Sequence, residues 1–157
     1  MDINLSYYLA EHGWSICSIN VDGRKYEISI THIFSEDPIQ ECMFSLMKIM
    51  KGEKVAEFNW YGEPGGERII LQEIPTERHM VNVRIEQFES DFGNEIKEVE
   101  KGIEFSIKKS LLVTMFYYEF KKISELLRDK HYGEKRNSNF HFESFKLFEK
   151  TVLEYLN

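Results

Sequence analysis

The chain is poor in the residues that staple, kink or coordinate. Among 157 residues there are two cysteines, three prolines and five histidines. Cys17 and Cys42 each lie inside an apolar stretch, where a thiol serves as a small buried hydrophobe, so no disulfide framework is expected. His12, His32, His79, His131 and His141 are scattered, without His-x-x-x-His, His-Glu-x-x-His or Cys-x-x-Cys spacing, and no metal site is expected. No serine occupies a Gly-x-Ser-x-Gly elbow. A nucleophile, a histidine and an acid can still be brought together by a fold, which spacing alone leaves open. No cofactor is expected.

Long apolar runs are missing as well. "LLVTMFYYEF" at residues 111–120 is broken by Glu119 and followed by Lys121 and Lys122, and is far shorter than the roughly 20 residues that span a bilayer. "MDINLSYYLAEHGW" has no basic region leading into an apolar one, so the expectation is a cytoplasmic protein without a membrane contact. Repeats, low-complexity tracts and Gly, Pro or Ser-rich linkers are not found, which gives one domain over residues 1–157.

What is present is the composition of a folded domain: 42% hydrophobic and 14% aromatic residues in a chain long enough to bury a core without staples. The 27 acids exceed the 20 bases, for a net charge of −7, and the resulting field repels nucleic acid and favours basic partners.

In "WSICSINVDGRKYEISITHIF" two alternating runs flank Asp22-Gly23, a strong signal for a type I′ hairpin, with strands at about 14–21 and 24–33. "SEDPIQECMFSLMKIMKG" then reads as a helix, with Asp37 as N-cap, Pro38 in its first position, Gln40 completing a capping box and Gly52 as the stop. Ile39, Met43, Leu46, Met47 and Met50 make a stripe that reads as the core side of this helix, with an adaptable binding face as the alternative.

"KVAEFNWY", "ERIILQEI" and "MVNVRIEQF" alternate as three antiparallel strands, with residues 75–78 connecting the second to the third. Residues 90–108 read as mainly loop and strand. Leu112, Met115, Phe116, Phe120, Ile123 and Leu127 mark a helix over about 109–130, ended by the glycine of "KHYGEK". Asn139 or Ser138 is expected to cap a last helix on Phe142, Phe145, Val152 and Leu156. The class is therefore α+β: an antiparallel sheet of five or six strands, one helix after the first hairpin, and two C-terminal helices on one face.

The stretch "WYGEPGGER" carries the densest set of special residues. Its glycines lead into a strand, whereas a phosphate loop opens a helix, so nucleotide binding is rejected. Pro64 and Gly65 suit the central positions of a type II turn over residues 63–66. With Tyr61 opposite Gly66, Phe58 faces Ile69 and Ala56 faces Leu71. Trp60 then joins one apolar face, while Asn59 faces Arg68 and Glu57 lies diagonal to it as a surface pair.

Acid neighbours such as "SED", "ESDFGNE" and "EIKEVE" are expected as solvated loop charge in so acidic a chain, and "FESDFGNE" does not have calcium-loop spacing. Trp60, Tyr61, Tyr117, Tyr118, Phe140 and Phe142 lie near turns or helix flanks where some should be exposed, as interface anchors are.

"NWYGEPGGERIIL" followed by "MVNVRIEQF" resembles a pattern found in small uncharacterised bacterial proteins, including immunity-type proteins encoded beside polymorphic toxins. The likeness covers residues 55–89. It implies a cytosolic partner-binding role without catalysis, and carries no catalytic residue with it. The leading expectation is a non-enzymatic protein-binding module that neutralises a basic toxin domain by direct contact, with Trp60, Tyr61, Glu63 and Arg68 as the candidate interaction surface. The alternative is a small-molecule-binding or catalytic domain with a pocket between sheet and C-terminal helices, using some of Trp60, Tyr61, Glu63, Arg68 and His79. A homodimer joined through the Met and aromatic stripes is a third possibility.

Overall fold

A computed structural model of the chain describes residues 1–33, 36–89, 98–136 and 139–157. The first sheet grows from the Asp22-Gly23 turn, where both residues have positive φ, at 50° and 82°, as a type I′ turn demands. It joins β2 (Trp14–Val21) to β3 (Arg24–Thr31), with Val21 opposite Arg24. A strand not expected from the sequence, β1 (Ile3–Leu9), pairs antiparallel with β2 and makes the order β1-β2-β3. Leu5, Tyr7 and Leu9 on alternate positions of β1 are buried.

The helix α1 (Pro38–Met50) begins as expected: the Asp37 Oδ2 accepts the Gln40 N–H at 2.8 Å, and Pro38 fills the first position. The reciprocal half of the capping box does not form. The Gln40 amide donates instead to Ser144 Oγ, 2.7 Å away on a C-terminal helix. Ile39, Met43, Leu46 and Met47 are buried and Met50 packs against them, so the Met stripe is core and is removed as a subunit contact. Gly52, at φ 95°, follows the helix as its stop.

The strands β4 (Val55–Tyr61), β5 (Gly66–Ile74), β6 (Glu77–Glu89) and β7 (Glu98–Lys108) form a second antiparallel sheet in that order. The expected α+β class holds, but the described strands number seven and divide into sheets of three and four where one sheet of five or six was expected. The expected register of the β4–β5 hairpin is the observed one: Tyr61 opposite Gly66, Phe58 opposite Ile69, Ala56 opposite Leu71, Asn59 opposite Arg68. The Glu57–Arg68 surface pair is not among the ion pairs of the described residues. β7 continues through Gly102, where its register against β6 shifts by one residue, and the rest of the stretch read as loop and strand, residues 90–97, lies outside the described residues.

Three helices complete the chain: α2 (Lys109–Leu126), α3 (Lys130–Arg136) and α4 (Phe142–Leu156). The long helix stops earlier than its periodicity suggested, and Gly133 sits inside α3 instead of ending α2. His141, not Asn139, holds the N-cap position of α4 and makes no capping bond from its side chain; Ser138 lies outside the described residues. Lys109, at the first position of α2, is buried and ion-paired with Glu73 of β5, and this bond holds the Glu73 carboxyl below the usual range.

One apolar cluster joins both sheets to α1, α2 and α4. At its centre Trp60 packs on Phe58, Tyr7 and Phe116 with ring centroids 5.2, 5.7 and 6.4 Å away, and its indole N–H reaches the Pro38 carbonyl at 3.0 Å. On the outer side of β1, the Glu119 carboxylate of α2 accepts the Tyr7 backbone N–H at 3.0 Å.

Candidate functional site: an acid-lined cavity at the seam of the two sheets

The pocket expected between sheet and C-terminal helices is filled. Leu5, Phe58, Trp60, Phe105, Leu112 and Phe116 close that space to about 10 Å³. A cavity of about 420 Å³ lies elsewhere, at the seam where β2 and β3 meet the end of the second sheet.

The cavity follows from the hairpin "WYGEPGGER". Gly65 has φ 76°, as expected, but the Glu63-Pro64 bond is cis, and the Gly62 N–H bonds to the Gly65 carbonyl at 2.8 Å, so this is not the type II turn that the sequence suggested. The two glycines have a second reason to be there. A methyl group on Gly66 would meet the Trp60 carbonyl and one on Gly65 the Phe88 carbonyl, both rigid backbone. The loop is therefore laid directly on β6, and Gly62, Glu63, Pro64 and Gly66 become one wall of the cavity.

Register supplies the floor. Trp60, Glu67, Gln87 and Glu100 are successive cross-strand partners over β4, β5, β6 and β7. Glu67 is two residues before Ile69, so it occupies the face that points into the core, where alternation calls for an apolar side chain. Tyr26 reaches over from β3 to satisfy it: its hydroxyl donates to Glu67 Oε2 at 3.0 Å and accepts from the Gln87 amide at 3.0 Å. Gly102 of β7 lies beneath this hydroxyl, and a methyl there would collide with it.

Burial pushes the Glu67 carboxyl up to about 7, against the opposing pull of the Tyr26 hydrogen bond. Burial likewise raises the Tyr26 phenol to about 12. Since the folded state holds the Glu67 proton more tightly than the unfolded chain, its stabilising contribution is complete below pH 4.5 and is lost as pH rises to about 7. Glu67→Gln, which keeps an oxygen to accept from Tyr26, is expected to be more stable than the wild type at pH 8, with the gap closing by pH 5. Urea midpoints at the two pH values check this; an equal gap at both would assign no special titration to Glu67.

Three further carboxylates line the cavity: Glu63 from the hairpin, Glu89 from β6 and Glu100 from β7. Among the described lining residues none is basic, and four are acids. Trp14, Pro64 and Phe88 provide apolar surface beside them.

The residues expected to form an interaction surface are not brought together. Trp60, 1% exposed, is core. Tyr61 and Arg68 are half-buried and turned to the opposite side of the sheet from Trp60 and Glu67, Tyr61 standing edge-on to Phe88 at 5.7 Å. Glu63 alone is part of the cavity, and His79 is exposed near the start of β6. Of the other aromatics, Tyr117 and Phe140 are buried, while Tyr118 and Phe142 are exposed. Glu67 and Gln87 were missed, although the chosen hairpin register already turned Glu67 inward.

The fold also brings a serine, a histidine and an acid into line. Ser15 Oγ lies 2.8 Å from His32 Nε2, and His32 Nδ1 lies 3.3 Å from Asp37 Oδ1. The Tyr7 hydroxyl contacts Ser15 Oγ from the other side at 2.7 Å. With the His32 N–H towards the Asp37 carboxylate, Nε2 accepts from Ser15 and Ser15 from Tyr7; the reverse tautomer inverts the row. A catalytic serine must meet a carbonyl carbon. Ser15 is fully buried and its hydroxyl is occupied on both sides, which makes this row a structural link between β1, β2, β3 and the cap of α1. The thiols of Cys17 and Cys42 are buried too, and burial pushes both up, away from the reactive thiolate.

Among the described residues no cluster of His, Cys, Asp and Glu is arranged to hold a metal, and no helix is long and apolar enough to cross a membrane. Compared with known proteins, the chain matches no family model, no curated protein and no solved structure.

Proposed function

We propose that the protein is a non-enzymatic protein-binding module of the immunity type, which neutralises a basic toxin domain by direct contact and takes one of its lysine or arginine side chains into the seam cavity. The observation that carries this reading is the set of four carboxylates around an open space with no basic residue among its described neighbours. Beside them, the apolar surface of Trp14, Pro64 and Phe88 suits the methylene stem of a long basic side chain. The net charge of −7 supports it, because an acidic field speeds encounter with a basic partner.

The test is to identify the proteins encoded beside this one and to measure association kinetics with any that is basic; the absence of a basic neighbour that binds would overturn this reading. Reversing two of the three exposed cavity acids, Glu63→Lys with Glu100→Lys, is expected to slow association at least about tenfold at low salt and to flatten its salt dependence. Unchanged rates in the doubly reversed protein would place the contact elsewhere and end this reading.

A further inference from the structure

The seam cavity contains one acid unlike its neighbours. Glu63, Glu89 and Glu100 are exposed at its rim, whereas Glu67 is half-buried on the core-facing row, held between the Tyr26 hydroxyl and the cavity. Among the described residues the polar and titratable groups around Glu67 are Tyr26 of β3, which bonds to it, and Gln87 and Glu89 of β6, Glu100 of β7 and Glu63 of the hairpin loop, which share its cavity. Trp14 of β2 and Ser29 of β3 complete the wall and carry no charge. Nothing basic among the described lining residues compensates an ionised Glu67. A cation entering the space would be the missing partner. Within the row Glu67, Gln87, Glu100 only Glu67 is half-buried, and a carboxyl there is a costly placement on a face whose other inward positions are Ile69, Leu71, Val83 and Ile85.

We propose that the cavity takes up a guanidinium or ammonium side chain in exchange for the proton on Glu67, so that docking of a basic residue and ionisation of this carboxyl are a single event. One cation enters, one proton leaves to solvent, and the cavity keeps its charge. The inference rests on the reading of the cavity as a site for a basic side chain and adds how that site is regulated. The ordinary direction of carboxyl perturbation agrees with it: burial holds Glu67 protonated up to about pH 7, so the exchange falls within the neutral range. Tyr26 keeps its hydrogen bond to the carboxyl in either state, as donor to the ionised form or as acceptor from the protonated one, so the two sheets stay joined during the exchange.

The experiment is a carbon-detected NMR titration of the Glu67 side-chain carboxyl in the full chain from pH 5 to 9. It is run without and with a saturating arginine probe, N-acetyl-Gly-Arg-Gly-amide. The backbone signals of Gly62 and Phe88 report occupancy. Binding is expected to lower the Glu67 midpoint by at least about one pH unit. By reciprocity, probe affinity then rises at least about tenfold from pH 5 to pH 8. In Glu67→Gln, probe affinity is expected to be weaker and nearly level with pH. If the Gly62 and Phe88 signals respond but the Glu67 midpoint does not move, or lies near the ordinary carboxyl value, the proton exchange is overturned while the cavity remains a site for basic side chains. If neither the backbone signals nor the midpoint respond, the cavity reading falls and the exchange falls with it.

Discussion

Trp60→Ala is expected to destabilise the fold by about 3–5 kcal/mol, read as a fall in the urea midpoint with the slope unchanged. The size follows from the position. The indole is 1% exposed, touches rings from β1, β4 and α2, and satisfies the Pro38 carbonyl at the start of α1. Truncation removes this shared packing and leaves a cavity into which four different elements would have to collapse. Trp60→Phe keeps most of the ring volume and loses the 3.0 Å hydrogen bond, and should cost no more than half as much. A loss below about 1 kcal/mol for Trp60→Ala would contradict the central placement of this residue.

Ser15→Ala is expected to cost about 1–3 kcal/mol for each buried group left without its partner, here the Tyr7 hydroxyl and His32 Nε2. The asymmetry between losing one partner and losing both gives a sharper form. Adding Tyr7→Phe to Ser15→Ala should cost less than the sum of the separate changes, because the second removes a group that the first had stranded. The same residue separates structure from catalysis. A fluorophosphonate, which labels accessible activated serines, is expected to leave the wild type unmodified at Ser15, since the hydroxyl is fully buried. Labelling at Ser15, or a Ser15→Ala protein as stable as the wild type, would overturn the structural assignment.

What could be read before folding was local. Asp22-Gly23, the Asp37-Pro38 cap and the register of the Tyr61–Gly66 hairpin each depend on backbone geometry within a few residues, and each is found in place. The strand Ile3–Leu9 also carried its signal, with Leu5, Tyr7 and Leu9 inward; it was hidden by the polarity of Asn4 and Ser6, which mark the other face of an alternating strand. The division into two sheets was not legible, because it depends on which strands fail to pair.

The candidate site divides in the same way. Register alone turned Glu67 towards the core, so an acid out of pattern was available to be noticed. Tyr26, which makes that acid tolerable, is 41 residues away on another sheet. The row from Tyr7 through Ser15 and His32 to Asp37 draws on two strands, the residue that follows β3 and a helix cap, and nothing in the spacing of those residues announces it. Trp60 and Tyr61 drew notice because they flank a glycine-rich turn. Alternation sends them to opposite sides of the sheet, so they could never have formed one patch.

The bond from the Tyr7 N–H to Glu119 has a consequence for how the molecule behaves at high concentration. An edge strand with free amides is a template on which another chain can add itself, and the first sheet would present such an edge at β1. Here one rung of that ladder is already taken by a carboxylate, and the helix that supplies it lies along the strand. A second chain trying to extend this sheet would have to displace a charged group from its amide and lift the helix from its seat. Glu119 thus works as a gatekeeper, tying colloidal behaviour to the same helix whose inner face completes the core.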